Sequence, residues 1–217
     1  MLPVDGMPIL ERLLRHFVAH GFREFVVVVG YLGDVIESHL QHIDFGDARL
    51  RFLREDAPRG NVGALGELRD GDLPVVLAFG DLLTDLDPRS LLAEHVESDS
   101  DLTLASHWYC DQLQFGELVV DDGRVLDYRE KPMRRSLICS GVLVAAPRAI
   151  RQIDSLGSEV GLVDLVRSCI RLGLKVESWH HDALWLDINS EETLQRANEL
   201  IAATHPDTRS HSRTARG

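Results

Sequence analysis

Two aspartates, each standing at the end of an apolar run, are the residues of this chain best suited to chemistry. Val75-Val76-Leu77-Ala78-Phe79 leads without a polar break into Gly80-Asp81, and Trp185-Leu186 leads into Asp187-Ile188. A strand buried on both faces reads as such a run, and open α/β sheets bind ligands beyond the carboxyl ends of their strands. Gly80 is expected to let the backbone turn and approach a ligand closely. Mg2+ favours hard oxygen ligands in octahedral geometry, so two carboxylates from separate strands, completed by water and phosphate oxygens, suit it. The expected metal ligands are Asp81 and Asp187. The plainer alternatives are that Asp81 caps a turn and that Asp187 begins the last helix.

Glu130-Lys131-Pro132 is the next group, in a chain that holds only two lysines, Lys131 and Lys175. An ammonium on a flexible stem follows a phosphate that moves during reaction, and the proline is expected to keep Lys131 extended. A solvated Glu-Lys pair at a strand end is the competing reading. In Arg59-Gly60-Asn61-Val62-Gly63-Ala64-Leu65 two glycines lead into a helix whose first amides favour an anion or a ligand carbonyl, with Arg59 adding charge. Most such loops are only turns. His180 and His181, adjacent on a strand, point opposite ways and are expected at the surface. Arg134 and Arg135 read as solvated loop arginines. Cys110, Cys139 and Cys169 lack metal-ligand spacing and read as reduced, mostly buried thiols.

The elements that must position these groups follow a β-α-β rhythm. Residues 1–8 read as a loop with Pro8 opening a helix, in which Ile9, Leu10, Leu13, Leu14, Phe17 and Val18 recur at helical spacing until Gly21. Phe25 to Val29 reads as an interior parallel strand, Asp34 to Gln41 as a helix and Leu50 to Leu53 as the next strand. After the Gly80-Asp81 strand come a helix at 88–97, capped by Asp87, and a strand at 101–106. The pattern then changes. Strands at 115–120, 124–128 and 138–144 have no helix between them, and Asp121-Asp122-Gly123 makes the first two a hairpin. Helices at 147–153 and 160–172, strands at 174–179 and 183–188, and a helix capped by Ser190 complete one domain over 1–203. The polar stretch 204–217 reads as a disordered tail.

At 217 residues and 44% hydrophobic, the chain has the apolar content for one α/β core. A net charge of −12 excludes nucleic acid and an anionic membrane surface as expected partners, because both need concentrated positive charge. No apolar run approaches the ~18 residues of a membrane span and no signal pattern opens the chain, so a cytoplasmic protein is expected.

Together these residues resemble the sugar-1-phosphate nucleotidyltransferases. The likeness runs from Leu2 to about Leu200, through Leu2-Pro3-Val4, Pro8-Ile9-Leu10-Glu11, Val29-Gly30-Tyr31-Leu32-Gly33, Gly60-Asn61-Val62-Gly63-Ala64-Leu65, Gly80-Asp81, Phe115-Gly116, Glu130-Lys131-Pro132, Ser140-Gly141 and Trp185-Leu186-Asp187-Ile188. The resemblance implies a Rossmann-like, three-layer α/β/α fold with a mostly parallel central sheet and an added antiparallel section. It also implies a reaction, in which a sugar 1-phosphate oxygen attacks the α-phosphorus of a nucleoside triphosphate to give a nucleotide sugar and pyrophosphate. By position, Asp81 and Asp187 match the Mg2+ ligands, and Lys131 with Glu130 matches the sugar-phosphate contact. Gly60, Gly63 and Ala64 match residues that line the nucleotide, and Gly116 the sugar. Asn61, Gly80, Ser140 and Gly141, within the same motifs, complete the expected substrate-binding set.

The likeness starts after the family's first strand, its glycine-rich loop of the type G-x-G-x-R, and a Lys-Pro. That strand is expected at the middle of the sheet and that loop around the triphosphate. Three charge-assisted hydrogen bonds lost at ~1.5 kcal/mol each make roughly 4.5 kcal/mol, on the order of a thousandfold in rate or affinity. Impaired activity and self-association through open sheet edges are the expectations that follow. Cys139 stands where an Asn is usual, and Asn189 where a Gly is usual. Two readings from other classes stay open: a noncatalytic homologue that binds nucleotide or sugar phosphate or regulates a complete homologue, and, more weakly, a nucleotide-sugar-dependent glycosyltransferase. The expected partners are a nucleoside triphosphate and a sugar 1-phosphate, with a homo-oligomer or a pairing with a complete homologue beside them.

Overall fold

The structure, a computed structural model, describes residues 2–204, so the tail expected from 204 onward lies outside the described residues except for Thr204. The opening stretch is a minimal hairpin rather than a loop: β1 (Pro3–Val4) pairs antiparallel with β2 (Met7–Pro8). Asp5 and Gly6 at its tip both have positive φ, the conformation that two-residue hairpin loops demand. Pro8 then caps α1 (Ile9–Ala19).

Next, β3 (Glu24–Val29), α2 (Gly33–Gln41) and β4 (Arg49–Arg54) form a β-α-β unit, paired in parallel from Glu24 with Arg49 to Val29 with Arg54. Leu14 of α1 packs with Val27, Val29, Leu40 and Phe45 on one face of this pair. Val26 and Val28, on the other face, are exposed. The interior strand expected at 25–29 is therefore a strand covered on one side, and among the described residues β4 is its single partner.

A 3₁₀ turn (Gly63–Leu68) leads to β5 (Val75–Ala78), β6 (Leu82–Thr84) and α3 (Pro88–Glu97), where Asp87 accepts from the Arg89 amide at 2.8 Å as the expected cap. Then follow β7 (Leu102–Gln112), β8 (Glu117–Asp121), β9 (Arg124–Arg129) and β10 (Met133–Ala145). The chain finishes with α4 (Pro147–Ile150), α5 (Leu162–Arg171), β11 (Val176–His180), β12 (Trp185–Asp187) and α6 (Glu191–Thr204).

The main sheet runs β11-β7-β10-β5, with β11 parallel to β7 and β10 antiparallel to both its neighbours. Its centre shows why the apolar runs do not alternate. Leu143 and Ala145 of β10 pack with Ile150 and Leu165, whereas Val142 and Val144 pack with Leu13, Phe17 and Leu91. All four strand residues are fully buried. Helices thus cover both faces, giving the three layers expected. In β5, Val75 and Leu77 turn to one layer and Val76 and Ala78 to the other, but they are only half-buried. The partner of β5 is β10, antiparallel, in a sheet expected to be mostly parallel. The antiparallel section is longer than expected: residues 107–112 of β7 and 133–138 of β10 continue past the core as a two-stranded arm followed by the β8–β9 hairpin.

Candidate functional site

The two aspartates meet because β6 and β12 pair antiparallel with Leu82 opposite Asp187, while the Ile188 amide donates to the Asp81 carbonyl at 3.0 Å. At the other end of the pair, Thr84 Oγ1 donates to the Leu184 carbonyl and the Leu184 amide donates to Asp85 Oδ1, both at 2.7 Å. Asp187 belongs to the strand and does not start the helix. The Asp81 carboxylate accepts no hydrogen bond among the described residues, so it caps no turn. Asp187 Oδ2 accepts from Asn189 Nδ2 at 3.3 Å, but Oδ1 is buried with no partner. Burial, and then the charge of Asp81, push the Asp187 carboxyl above its usual range. A buried carboxylate oxygen without a partner, beside a second carboxylate, is unfavourable unless a cation compensates it. These donors fit a divalent cation that takes its remaining ligands from water and phosphate. Among the described residues no third acidic, histidine or cysteine ligand joins them.

Ser140 and Gly141 form the wall next to this pair. Gly141 sits at the irregularity of the β7–β10 ladder with φ +72°, and a Cβ there would stand 3.0 Å from the Phe79 ring and 3.1 Å from Leu82. Its carbonyl accepts from the Phe79 amide at 3.0 Å, which ties β10 to the Gly80-Asp81 turn. Ser140 is fully buried, and its hydroxyl bridges His107 Nδ1 at 2.9 Å and His181 Nε2 at 2.7 Å. The Ser140 carbonyl accepts from Trp185 Nε1 at 2.7 Å, and the Trp185 ring lies 4.4 Å from that of His107. Ser140 therefore holds the strand that carries Asp187 rather than presenting its own hydroxyl to a ligand.

The expectation that both adjacent histidines lie at the surface holds for His180, which is paired with Asp182 at 3.3 Å, and fails for His181. His181 is 6% exposed, and burial, followed by the charges of His107 and His180, holds its pKa down to about 4. The signal was available: if alternation turns one histidine outward, it turns its neighbour in. Gly80 lies in a turn as expected, but without the backbone freedom that only a glycine has. Its φ is not left-handed, and a Cβ would meet only Leu10 Cδ1 at 3.5 Å, an ordinary contact.

The Gly60 loop is fastened to the start of α5. Gly60 has φ +78° and no room for a Cβ against the Val160 backbone, the Val160 amide donates to the Arg59 carbonyl at 2.7 Å, and Asn61 Oδ1 accepts from the Leu162 amide at 2.8 Å. A Cβ on Gly63 would crowd Arg59 at 3.0 Å, and Ala64 lies in the core. The helix expected there is the short 3₁₀ turn, and Arg59 is engaged by Glu67 at 2.7 Å.

Glu130, Lys131 and Gly116 lie on the arm. Tyr128 covers Gly116 so closely that a Cβ would overlap its phenol, and the hydroxyl donates to Glu130 Oε2 at 2.7 Å. Lys131 is not extended as expected before a proline; its φ is +43°. The cause is a closed turn, in which the Lys131 carbonyl accepts from Gln112 Nε2 at 3.3 Å and the Pro132 carbonyl from the Leu113 amide at 3.0 Å. The Lys131 ammonium makes no hydrogen bond or ion pair among the described residues. Strand from Met133 to Gly141 spans roughly 26 Å at ~3.3 Å per residue, so the arm does not bring Lys131 onto the aspartates. Arg134 binds Glu117 at 2.8 Å and Arg135 lies 4.0 Å over Trp108. Cys169 is buried as expected, whereas Cys110, on the uncovered arm, and Cys139, just after it, are exposed.

The family model described as nucleotidyl transferase matches residues 1–204. The D-glycero-alpha-D-manno-heptose 1-phosphate guanylyltransferase of Aneurinibacillus thermoaerophilus is 24% identical over 203 residues, covering 93% of this chain and 88% of that protein. The UTP-glucose-1-phosphate uridylyltransferase of Synechocystis sp. is 28% identical over 209 residues, covering 87% of this chain and 54% of that protein. The crystal structure of HddC from Yersinia pseudotuberculosis superposes with a TM-score of 0.72 at 21% identity, covering 93% of this chain and 88% of that one.

Proposed function

The chain belongs to the nucleotidyl transferase family, and we propose that it joins a nucleoside triphosphate to a sugar 1-phosphate, releasing pyrophosphate, with Mg2+ held by Asp81 and Asp187. The observation that carries this reading is the buried, unpartnered Oδ1 of Asp187 beside the free carboxylate of Asp81. A cation held by these two carboxylates would supply neutralisation of phosphate charge. The chain's own part is positional. The β6–β12 pairing fixes the spacing of the carboxylates, Asn189 orients one oxygen of Asp187, and Gly80 sets no side chain beside Asp81. The ammonium of Lys131, unpaired among the described residues, with Glu130 beside it, is the group assigned to the sugar phosphate. Relatives named for guanylyl and uridylyl transfer, to heptose and to glucose, leave base and sugar to be found by assay. No helix among the described residues is long and apolar enough to cross a membrane. We place the reaction in the cytoplasm, where the triphosphate is available.

The distance of Lys131 from the aspartates favours a second reading, a noncatalytic binder of nucleotide or sugar phosphate. One experiment separates the two. Pyrophosphate release is measured with Mg2+ and a panel of nucleoside triphosphates and sugar 1-phosphates, alongside Mn2+ binding by electron paramagnetic resonance. The transferase reading expects release that Asp81→Ala and Asp187→Ala abolish. Mn2+ binding that depends on both aspartates, without release from any substrate pair, selects the binder. Release undiminished by either substitution refutes the metal assignment.

A further inference from the structure

Two consecutive residues of β10 hold the segments of the two aspartates to the main sheet. The Gly141 carbonyl accepts from the Phe79 amide at 3.0 Å, and Phe79 stands two residues before Asp81. The Ser140 carbonyl accepts from the Trp185 indole Nε1 at 2.7 Å, and Trp185 stands two residues before Asp187. Both carbonyls lie where the pairing of β10 with β7 is interrupted, between Cys139 and Leu143. Such an irregularity re-aims groups out of the ladder, here toward the segments that carry the carboxylates.

These segments need an outside anchor. The strands β6 and β12 are three residues each, and among the described residues they pair with each other and with no strand of the main sheet. A two-stranded ladder is marginal alone and twists more strongly than a wider sheet. The spacing it gives the carboxylates is therefore only as firm as its attachment to the core. The attachment point is rigid: Ser140 is fully buried with its hydroxyl between His107 and His181, and Val142 and Leu143 just beyond are fully buried as well. The His107 ring holds Trp185 on a second side at 4.4 Å. A buried indole N–H needs only some acceptor. This one adjoins the acceptor that holds the Asp81 segment, so one stiff dipeptide is the reference point for both carboxylates.

We propose that Trp185 is a positioning residue for a divalent cation, its indole N–H on the Ser140 carbonyl holding the β6–β12 ladder so that Asp81 and Asp187 keep the spacing of one ion. The proposal rests on the reading of those aspartates as the cation's ligands. Mg2+ demands near-ideal octahedral geometry at about 2.1 Å, whereas Ca2+ accepts irregular shells at about 2.3–2.6 Å. A loosened ladder therefore weakens Mg2+ more than Ca2+. Groups that orient metal ligands without touching the metal are worth roughly 10–100-fold in affinity, and Trp185, acting along the strand, belongs at the lower end.

Trp185→Phe tests it, because that change removes the donor and keeps an aromatic ring against His107. Mn2+ binding to the full chain is followed by electron paramagnetic resonance well below the melting temperature, with Mg2+ and Ca2+ as competitors. The expected result is a Mn2+ dissociation constant raised about tenfold, with Mg2+ weakened by a larger factor than Ca2+. Thr103→Val is the comparison. It strips the buried His95 Nδ1 of its partner at 2.8 Å, at the far end of β7, and should lower stability while leaving Mn2+ affinity within about twofold. An equal loss in Thr103→Val, or equal weakening of Mg2+ and Ca2+ in Trp185→Phe, marks a general loss of stability and overturns the proposal. Parent-like binding by Trp185→Phe overturns it too, and leaves the aspartate reading standing where Asp81→Ala and Asp187→Ala abolish binding. A parent chain that holds no Mn2+ overturns both. Coupling is reciprocal, so saturating Mg2+ should slow exchange of the Trp185 indole proton by about tenfold in the unsubstituted chain. Nuclear magnetic resonance reads this whether or not the variant folds, and an exchange rate indifferent to Mg2+ overturns the proposal.

Discussion

Replacing Ser140 with alanine tests how the wall beside Asp187 is held. The hydroxyl carries one proton, so it donates to one imidazole and accepts from the other; its removal leaves His107 Nδ1 and His181 Nε2 without the partners now at 2.9 and 2.7 Å. A buried polar atom stripped of its partner costs ~1–3 kcal/mol. His107 is half-buried and can recruit water, so it adds the smaller share. His181 adds the larger, because its Nδ1 already lacks a partner and the whole ring would be left unbonded in a site 6% exposed. The sum is about 2–4 kcal/mol, and at ~2–4 °C per kcal/mol for a chain of this size the melting temperature should fall by roughly 4–16 °C. Urea unfolding at unchanged m-value measures it directly. Adding His181→Phe to Ser140→Ala should recover part of the loss, since deleting both partners removes the unpaired nitrogen on His181. A single variant within ~0.5 kcal/mol of the parent would refute the reasoning, because that is the scatter expected of a substitution that breaks no buried network.

Acid should act through the same residue. Folded His181 is held near 4 by burial, against ~6.5 unfolded, so the unfolded chain binds the extra proton. The stability is full above about pH 6.5 and is lost as pH falls toward 4, by on the order of 3 kcal/mol; urea midpoints across that window should fall in the parent and flatten in His181→Phe. Asp187→Asn should raise the melting temperature at neutral pH while abolishing turnover. The folded carboxyl is shifted upward by burial and by Asp81, so its charged form opposes folding once pH exceeds that raised value. A lower melting temperature would contradict this. Gly60→Ala should cost at least ~2 kcal/mol in a denaturant melt, because its left-handed φ and the Val160 backbone leave no escape, whereas Gly116→Ala should cost under ~1 kcal/mol because exposed Tyr128 can swing away.

What the sequence shows of this fold is what local physics encodes. The Asp87 and Ser190 caps, the Asp122-Gly123 turn with both φ positive, and the strand at the end of the antiparallel section all follow from residue type and spacing. Other features depend on what packs where. A β-branched run such as Val26-Val27-Val28-Val29 looks the same whether one face or two are covered, which is why the exposure of Val26 and Val28 is not legible in it. The proline rule for Lys131 is overridden by hydrogen bonds from Gln112 and Leu113, which come from the opposite strand of the arm. The meeting of Asp81 with Asp187 lies between these cases: the strand ends announce both carboxylates, but only the register of Leu82 against Asp187 joins them. His181 departs from expectation because opposite facings on a strand put only one of two neighbours at the surface and send the other into the core.

The glycines of the matched motifs separate what the fold requires from what a ligand requires. Gly60 and Gly141 have left-handed φ, Gly63 crowds Arg59, and Gly116 lies under Tyr128, so each has a reason internal to the chain. Gly80 has none. Its φ is ordinary, and the single neighbour of an added Cβ is Leu10 Cδ1 at 3.5 Å, normal van der Waals contact. Yet Gly80 immediately precedes Asp81, where a bound phosphate or base would come close to the backbone. Gly80→Ala should therefore leave the urea midpoint within the equivalent of ~0.5 kcal/mol of the parent while weakening nucleotide binding by tenfold or so, about 1.4 kcal/mol. Equilibrium binding of each nucleoside triphosphate by calorimetry, with the melt run on the same sample, measures both. Unchanged affinity would mean that the glycine beside the aspartate is incidental, and that the nucleotide does not lie against it.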